Sequence, residues 1–202
     1  MDVSSGVSFW PAWSLRAARE EEYRPFPDMG RRNLYQEVLE VPAMVRALEL
    51  PRGRRVLEVG CGRGVALAPL LRWLRPKRLT GLDVDRQLLE IAAARLRGLP
   101  GEQALALVEG DVRELPFPSG SFDVVIDFGT CYHVARRAQA LREIARVLAP
   151  GGLLVHETRA NQLVSHPVRS WGRSLPWSAV PQLVLQRHTL LWAARVKAVS
   201  PA

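Results

Sequence analysis

Five short apolar runs, the first ended by a glycine and the rest by an acid, constrain this chain more than any other feature, because helix-period segments separate them. Arg55–Val59 reads as a buried strand that stops at Gly60-Cys61-Gly62-Arg63-Gly64. Leu67, Leu70, Leu71 and Leu74 then repeat at i, i+3, i+4 and i+7, the stripe of a helix that tolerates Pro69 early and stops at Pro76. The same alternation gives a strand over Arg78–Asp83 and a helix from Asp85 with Leu88, Leu89, Ala92 and Leu96 inward, ended by Gly98 and Pro100. Strands over Ala104–Glu109, Phe122–Asp127 and Leu153–Glu157 follow, with a turn at Pro116–Gly120. The last of these strands comes after a helix marked by Leu141, Ile144, Ala145 and Leu148 and stopped by Pro150-Gly151-Gly152. Strands alternating with helices imply right-handed crossovers and an α/β fold, a mostly parallel sheet covered on both faces.

At 202 residues, with 48% apolar and 24% charged residues, the chain suits one globular domain and excludes fibrous and disordered classes. The expected partition is an N-terminal helical cap over 1–54, a core over 55–157, and a C-terminal lid and sheet edge over 158–202. Leu34, Val38, Val41 and Val45 suggest a helix within 30–49 that Pro42 breaks, and Pro167, Pro176 and Pro181 suggest an irregular lid. Residues 182–199 fit a helix followed by a strand as well as they fit a hairpin. No apolar run reaches the roughly 18 residues of a membrane span, and the first residues lack the pattern of a secretory signal, so a cytoplasmic location is expected. Cys61 and Cys131 are too few for a disulfide framework and lack the spacing of a zinc site. No metal is expected. The 28 basic residues exceed the 20 acidic ones, with six against one over 155–202, but all save two are Arg and read as a solvated basic surface.

In such sheets ligands sit beyond the carboxyl ends of the strands. There the glycines let the backbone turn sharply and bring N–H groups against a ligand. The spacing Gly60, Gly62, Gly64 is one residue shorter than a dinucleotide fingerprint, which points away from pyrophosphate and makes an NAD dehydrogenase a distant alternative. Asp83, an acceptor-only carboxylate at the end of the second strand, suits the two hydroxyls of a ribose. Asp111, in Glu109-Gly110-Asp111-Val112 after the third, is placed to accept from an exocyclic adenine amine while the Val112 N–H donates to the ring.

At this point the sequence resembles the class I S-adenosylmethionine-dependent methyltransferases, in the small single-domain group that includes ubiquinone and menaquinone biosynthesis enzymes. The resemblance runs in order through Val56–Gly64, Gly81-Leu82-Asp83-Val84-Asp85, Glu109–Val112 with Leu115-Pro116-Phe117, Ser121–Val125, Tyr132-His133-Val134 and Leu148–Gly152, about residues 55 to 157. It implies a Rossmann-like fold and S-adenosylmethionine as methyl donor, with S-adenosylhomocysteine as product. It also implies that Glu58, Gly60, Cys61 and Gly62 shape the methionine pocket and that Asp83 binds ribose. Val84 packs on adenine, Gly110, Asp111 and Val112 read its edge, and Asp127 with Phe128 lies beside the amino acid end. Cys131 lacks the preceding proline of cytosine-methylating enzymes, and Asp127-Phe128-Gly129-Thr130 lacks the paired prolines of enzymes that methylate amide or adenine nitrogens.

Methyl transfer from a sulfonium mainly requires near-attack geometry, with a base where a hydroxyl or ammonium must lose a proton. His133 is the candidate base, since it follows the fourth strand and titrates near neutrality. His156 is expected to point into the packing of the sheet. Tyr23, Tyr35, Glu157 and Arg159 are candidates to bind the acceptor, a small molecule of anionic or aromatic character. Two alternatives remain open: an RNA methyltransferase using the basic tail, and a regulatory protein that binds S-adenosylmethionine without turnover.

Overall fold

The computed structural model describes residues 29–157 and 196–197. Among them six strands form one sheet: β1 (Arg55–Val59), β2 (Arg78–Asp83), β3 (Leu105–Glu109), β4 (Phe122–Asp127), β5 (Leu148–His156) and β6 (Val196–Lys197), in the order β3-β2-β1-β4-β5-β6. The first five pair in parallel and β6 runs antiparallel to β5. The order reverses between β1 and β4, and a crevice at such a switch point is where doubly wound sheets bind ligands. The central strands are nearly continuous buried runs, as strands covered on both faces must be.

The helices are α1 (Met29–Tyr35), α2 (Val41–Ala47), α3 (Leu67–Leu74), α4 (Arg86–Leu96) and α5 (Arg137–Val147). Val41, Met44, Leu67, Leu70, Leu89 and Leu96 pack with Val56, Val124, Ile126 and Val155 on one face of the sheet. Ala140, Ile144 and Val147 of α5 pack with Leu57, Val59, Val125 and Leu154 on the other. Burying each such side chain contributes about 1.5–3 kcal/mol. Pro69 falls in the first turn of α3, where its missing N–H costs no helical hydrogen bond. Asp85 caps α4 by accepting from the Gln87 and Leu88 N–H groups at 2.8 and 3.3 Å, worth about 1 kcal/mol.

Three expectations are corrected. Pro42 does not break the N-terminal helix: a π turn over Gln36–Glu40 precedes it, and the backbone stays right-handed helical from α1 into α2. The extra residue of that turn takes up the step that a proline without N–H would disrupt, and it changes which side faces inward. Tyr35, Gln36, Glu40, Val41 and Met44 are therefore buried, while Leu34 and Val38 are exposed. The strand expected from Leu153 begins five residues earlier, because Leu148 pairs with Phe122 before Ala149–Gly152 bulge and Leu153 resumes opposite Val124. Proline makes the preceding Ala149 extended, and the bulge turns through Gly151 at φ 74°. That early strand start moves the buried stripe of α5 to Ala140, Ile144 and Val147, leaving Ala145 exposed.

Tyr23, Arg159, the lid expected over 160–181 and most of 182–199 lie outside the described residues. Among the described residues, no helix is long and apolar enough to cross a membrane.

Candidate functional site

The glycine loop leaves β1 at the crevice. Gly60 has φ 65°, and a Cβ there would overlap the Thr130 hydroxyl and come within 2.7 Å of its Cβ, so no other residue fits without displacing the loop after β4. Thr130 Oγ1 in turn donates to the Val59 carbonyl at 3.1 Å. Gly62 is different: its φ is 51° and the space where a Cβ would stand is open. Its N–H donates to Asp83 Oδ2 at 2.7 Å, and the Asp85 N–H donates to Asp83 Oδ1 at 2.9 Å. One carboxylate thus ties the glycine loop to the end of β2. Cys61 is buried, its N–H bonded to the Leu82 carbonyl at 3.0 Å, and burial pushes its thiol up, away from a nucleophilic thiolate.

Beside Asp83, Val84 is 72% exposed, an apolar surface open to a flat ring. Gly110 closes the neighbouring wall, its N–H bonded to the Asp83 carbonyl at 3.0 Å, and a Cβ there would press on Leu82 at 3.1 Å and Pro116 at 3.3 Å. Val112 is buried beneath. Asp111 is half-buried and accepts from its neighbour Arg113, through the backbone N–H at 2.7 Å and the guanidinium at 2.6 and 3.0 Å. That guanidinium holds the Asp111 carboxyl below its usual range. A ring amine at this edge would share Asp111 with Arg113.

Asp127, at the end of β4, is fully buried and satisfied by the protein. It accepts from the Thr130 N–H at 2.6 Å, the Cys131 N–H at 3.3 Å and His156 Nδ1 at 2.7 Å. His156 is therefore not a packing residue as expected. It ties the end of β5 to β4. Asp127 shapes the loop carrying Phe128, which packs against the core on the glycine-loop face. His133 stands in the same loop, its ring 4.1 Å from that of Tyr132, with its N–H bonded to the Thr130 carbonyl at 3.0 Å.

The fourth wall is acidic. Glu58 and Glu157 are nearly inaccessible at 3% and 2%, and so is Glu40, at 1%, on the π turn. Desolvation pushes Glu58 up to about 8, with Asp83 and Asp127 adding repulsion and Arg32 opposing. It pushes Glu40 up to about 7, again against Arg32. Glu157 is raised well above the carboxylate range by burial and then by Glu40. Tyr35, buried beside Glu40 and Glu157, has its hydroxyl held neutral by burial and their charge. Arg32 itself donates to Gln36 Oε1. Glu58 Oε2 is buried without a hydrogen-bond partner among the described residues. Arg32 and Glu40 went unnoticed in the sequence. A glutamate between Leu39 and Val41, in an otherwise apolar stretch, was the available signal.

The profile of the methyltransferase domain family matches residues 57–156, the stretch that runs from within β1 to the end of β5 and takes in every loop described above except the N-terminal wall and Glu157. Residues 57–156 form a domain of the class I S-adenosylmethionine-dependent methyltransferases. The chain is 37% identical over 131 residues to a phthiotriol/phenolphthiotriol dimycocerosates methyltransferase of Mycobacterium ulcerans, covering 65% of this chain and 46% of that protein. It is 36% identical over 135 residues to a fatty-acid O-methyltransferase of Mycolicibacterium smegmatis, covering 67% of this chain and 46% of the relative. The match thus takes in less than half the length of either relative. An S-adenosylmethionine-dependent methyltransferase from Aquifex aeolicus superposes with a TM-score of 0.56 over 87% of both chains. At 17% identity that likeness speaks for the Rossmann-like fold alone. Among the described residues, no group of three His, Cys, Asp or Glu side chains could hold a metal ion.

Proposed function

We propose that this methyltransferase transfers the methyl group of S-adenosylmethionine to a small apolar acceptor bearing a hydroxyl group. The observation that carries the reading is the Gly62–Asp83 hydrogen bond, which sets an open backbone bend, a ribose-sized carboxylate and the exposed Val84 side by side. The donor set fits the cofactor. Each Asp83 oxygen accepts one backbone N–H and keeps a lone pair for a ribose hydroxyl. The partnerless Glu58 Oε2 suits a cationic or hydrogen-bond-donating methionine end, with Gly60, Cys61 and Gly62 forming the bend around it. Val84, Gly110, Asp111 and Val112 then frame adenine. Asp127 acts through the loop that it holds, placing Phe128 and His133 near the reacting end.

When bound, S-adenosylmethionine supplies a methyl group already activated on a sulfonium sulfur. The protein's remaining tasks are to hold the acceptor oxygen in line and to take one proton, for which His133 is the proposed base. Tyr35 and Glu157 line the acceptor side, with Tyr23 and Arg159 proposed to join them. The buried carboxylates there disfavour an anionic head group and favour a neutral hydroxyl. The names of the relatives, one acting on fatty acids at oxygen and one on dimycocerosates, support an apolar body for the acceptor. Residues 1–54 serve as a cap and 158–202 as a lid in this scheme.

Calorimetric titration with S-adenosylmethionine tests the cofactor site, and transfer of labelled methyl to a panel of long-chain alcohols, phenols and carboxylates tests the acceptor class. Asp83→Ala should weaken cofactor binding by about 2 kcal/mol, the cost of a lost charged hydrogen bond. A folded variant with unchanged affinity would remove Asp83 from the role.

A further inference from the structure

Asp127 and His156 stand opposite each other in the β4–β5 register, at the carboxyl ends of their strands. Asp127 is fully buried, and three nitrogen atoms reach it: the Thr130 N–H at 2.6 Å, the Cys131 N–H at 3.3 Å and His156 Nδ1 at 2.7 Å. Two backbone N–H groups already donate to it, which favours the ionised, acceptor-only carboxylate. His156 Nδ1 is therefore the protonated nitrogen, and the neutral ring keeps its lone pair on Nε2. The His156 side chain is 20% exposed, and Nε2 has no hydrogen-bond partner among the described residues. Both ring nitrogens of His133, by contrast, are shut away from solvent. One carboxylate sets both rings, since Thr130, which it anchors, accepts the His133 N–H at its carbonyl. Strand alternation puts His156 on the face of Leu154, where Cys131 also packs, so its ring lies beside the loop that follows β4. The other ionisable groups near the pair are Glu58 on β1, Glu157 on β5 and Cys131 in the loop, with Tyr132 and His133 further along it. From α5, apolar Ala140, Ile144 and Val147 face this side of the sheet.

We propose that His156, aligned by Asp127, is a general base of the methyl transfer, a catalytic residue beyond His133, with Asp127 as its positioning residue. This rests on the hydroxyl acceptor proposed above and gives that reading a base whose tautomer the fold has already set. The acceptor oxygen forms its bond to the methyl carbon as the carbon–sulfur bond breaks, and the sulfur keeps that electron pair. The hydroxyl proton passes to His156 Nε2. The imidazolium so formed faces the Asp127 carboxylate through its Nδ1–H, which stabilises the new charge away from water. The open edge of the ring then hands the proton to solvent.

The first test needs no turnover. Histidine-nitrogen NMR of the isotope-labelled full chain, with His156→Gln to assign the signals, should show His156 protonated on Nδ1 and bare on Nε2 in its neutral state. Asp127→Asn keeps an oxygen for the Thr130 N–H but turns an amide N–H toward His156, so the ring proton should move to Nε2. The second test follows methyl transfer from saturating S-adenosylmethionine to dodecanol and to para-nitrophenol as a function of pH. Both variants should lose about a hundredfold or more with dodecanol, together with the one-proton rise of the wild-type rate with pH. With para-nitrophenol, ionised near neutrality, the deficit of His156→Gln should shrink to about threefold or less, because no proton has to be taken. If Asp127→Asn does not fold, the wild-type tautomer and His156→Gln carry the test. A wild-type ring protonated on Nε2, a wild-type rate and pH profile in His156→Gln, or an equal loss with both acceptors overturns the proposal and leaves the reading above standing. A folded wild type that binds S-adenosylmethionine but methylates no hydroxyl compound overturns the hydroxyl acceptor, and the role of His156 with it.

Discussion

β1 and β4 lie side by side and each carries charged residues near both ends, yet the two ends behave as different chemistry. At the N-terminal end Arg55 donates to Asp123 through its backbone N–H at 2.9 Å, Nε at 3.2 Å and Nη2 at 2.7 Å. The pair is partly open to solvent, and it holds Asp123 below the usual carboxylate range. At the C-terminal end Glu58 is shut under the N-terminal helices, with one oxygen unpartnered and its acidity suppressed. The difference teaches that a carboxylate on these strands stabilises the fold where water and a guanidinium reach it. Where the helices exclude water and leave its pairing incomplete, its acidity is suppressed, and there the proposed function puts it to use for a ligand.

The most severe way to break the contrast is to disturb the loop that opens the C-terminal end. Gly60→Ala combines a positive φ with overlap on Thr130 and should cost about 3 kcal/mol or prevent folding, measured by urea denaturation. A loss below about 1 kcal/mol would mean that the loop after β4 is not packed on Gly60.

Glu58→Gln separates stability from binding. The Glu58 pKa is raised from 4.5 to about 8, so its contribution to stability is fully present below the unfolded value and lost as pH rises through the folded one. Relative to the Gln variant, the wild type should therefore lose up to about 4 kcal/mol between about pH 5 and pH 9 in denaturation experiments. Affinity for S-adenosylmethionine should drop about tenfold in the variant, in line with the loss of a charged partner. A variant that binds as tightly as wild type would place Glu58 on the structural side of the comparison.

Asp123→Asn should have the smallest effect. Its pKa is lowered by Arg55, so its contribution is present above the unfolded value of 3.8 and lost as pH falls through the folded one. Because the pair is part-exposed, the loss near neutrality should be only about 0.5–1 kcal/mol, with cofactor affinity unchanged. A change in affinity would show that the two ends of the strands are coupled.

Much of this architecture was legible in residue order. Each of the five apolar runs became a strand, four of them within a residue of the expected start, and Asp85 began its helix as a cap. The glycine spacing led to the bend, and Asp83 to the acid beside it. These succeed because strand alternation, helix period, capping and glycine torsions are properties of neighbouring residues. The misreadings arose where distant segments decide. A proline in a helix looks like a break until a π turn upstream absorbs it. The strand of His156 was anticipated, but its bond to Asp127 depends on two strands meeting 29 residues apart.

The chain's own order of residues determined the α/β fold, the strand ends at which ligands collect, and the glycine and carboxylate motif of its family. Only the tertiary structure decided that Glu40, Glu58 and Glu157 are each buried within reach of the Arg32 charge, and that Asp111 accepts from Arg113. Local patterns set backbone conformation, whereas the state of a carboxylate depends on which charges, donors and water molecules surround it. Those neighbours come from segments that only folding brings together.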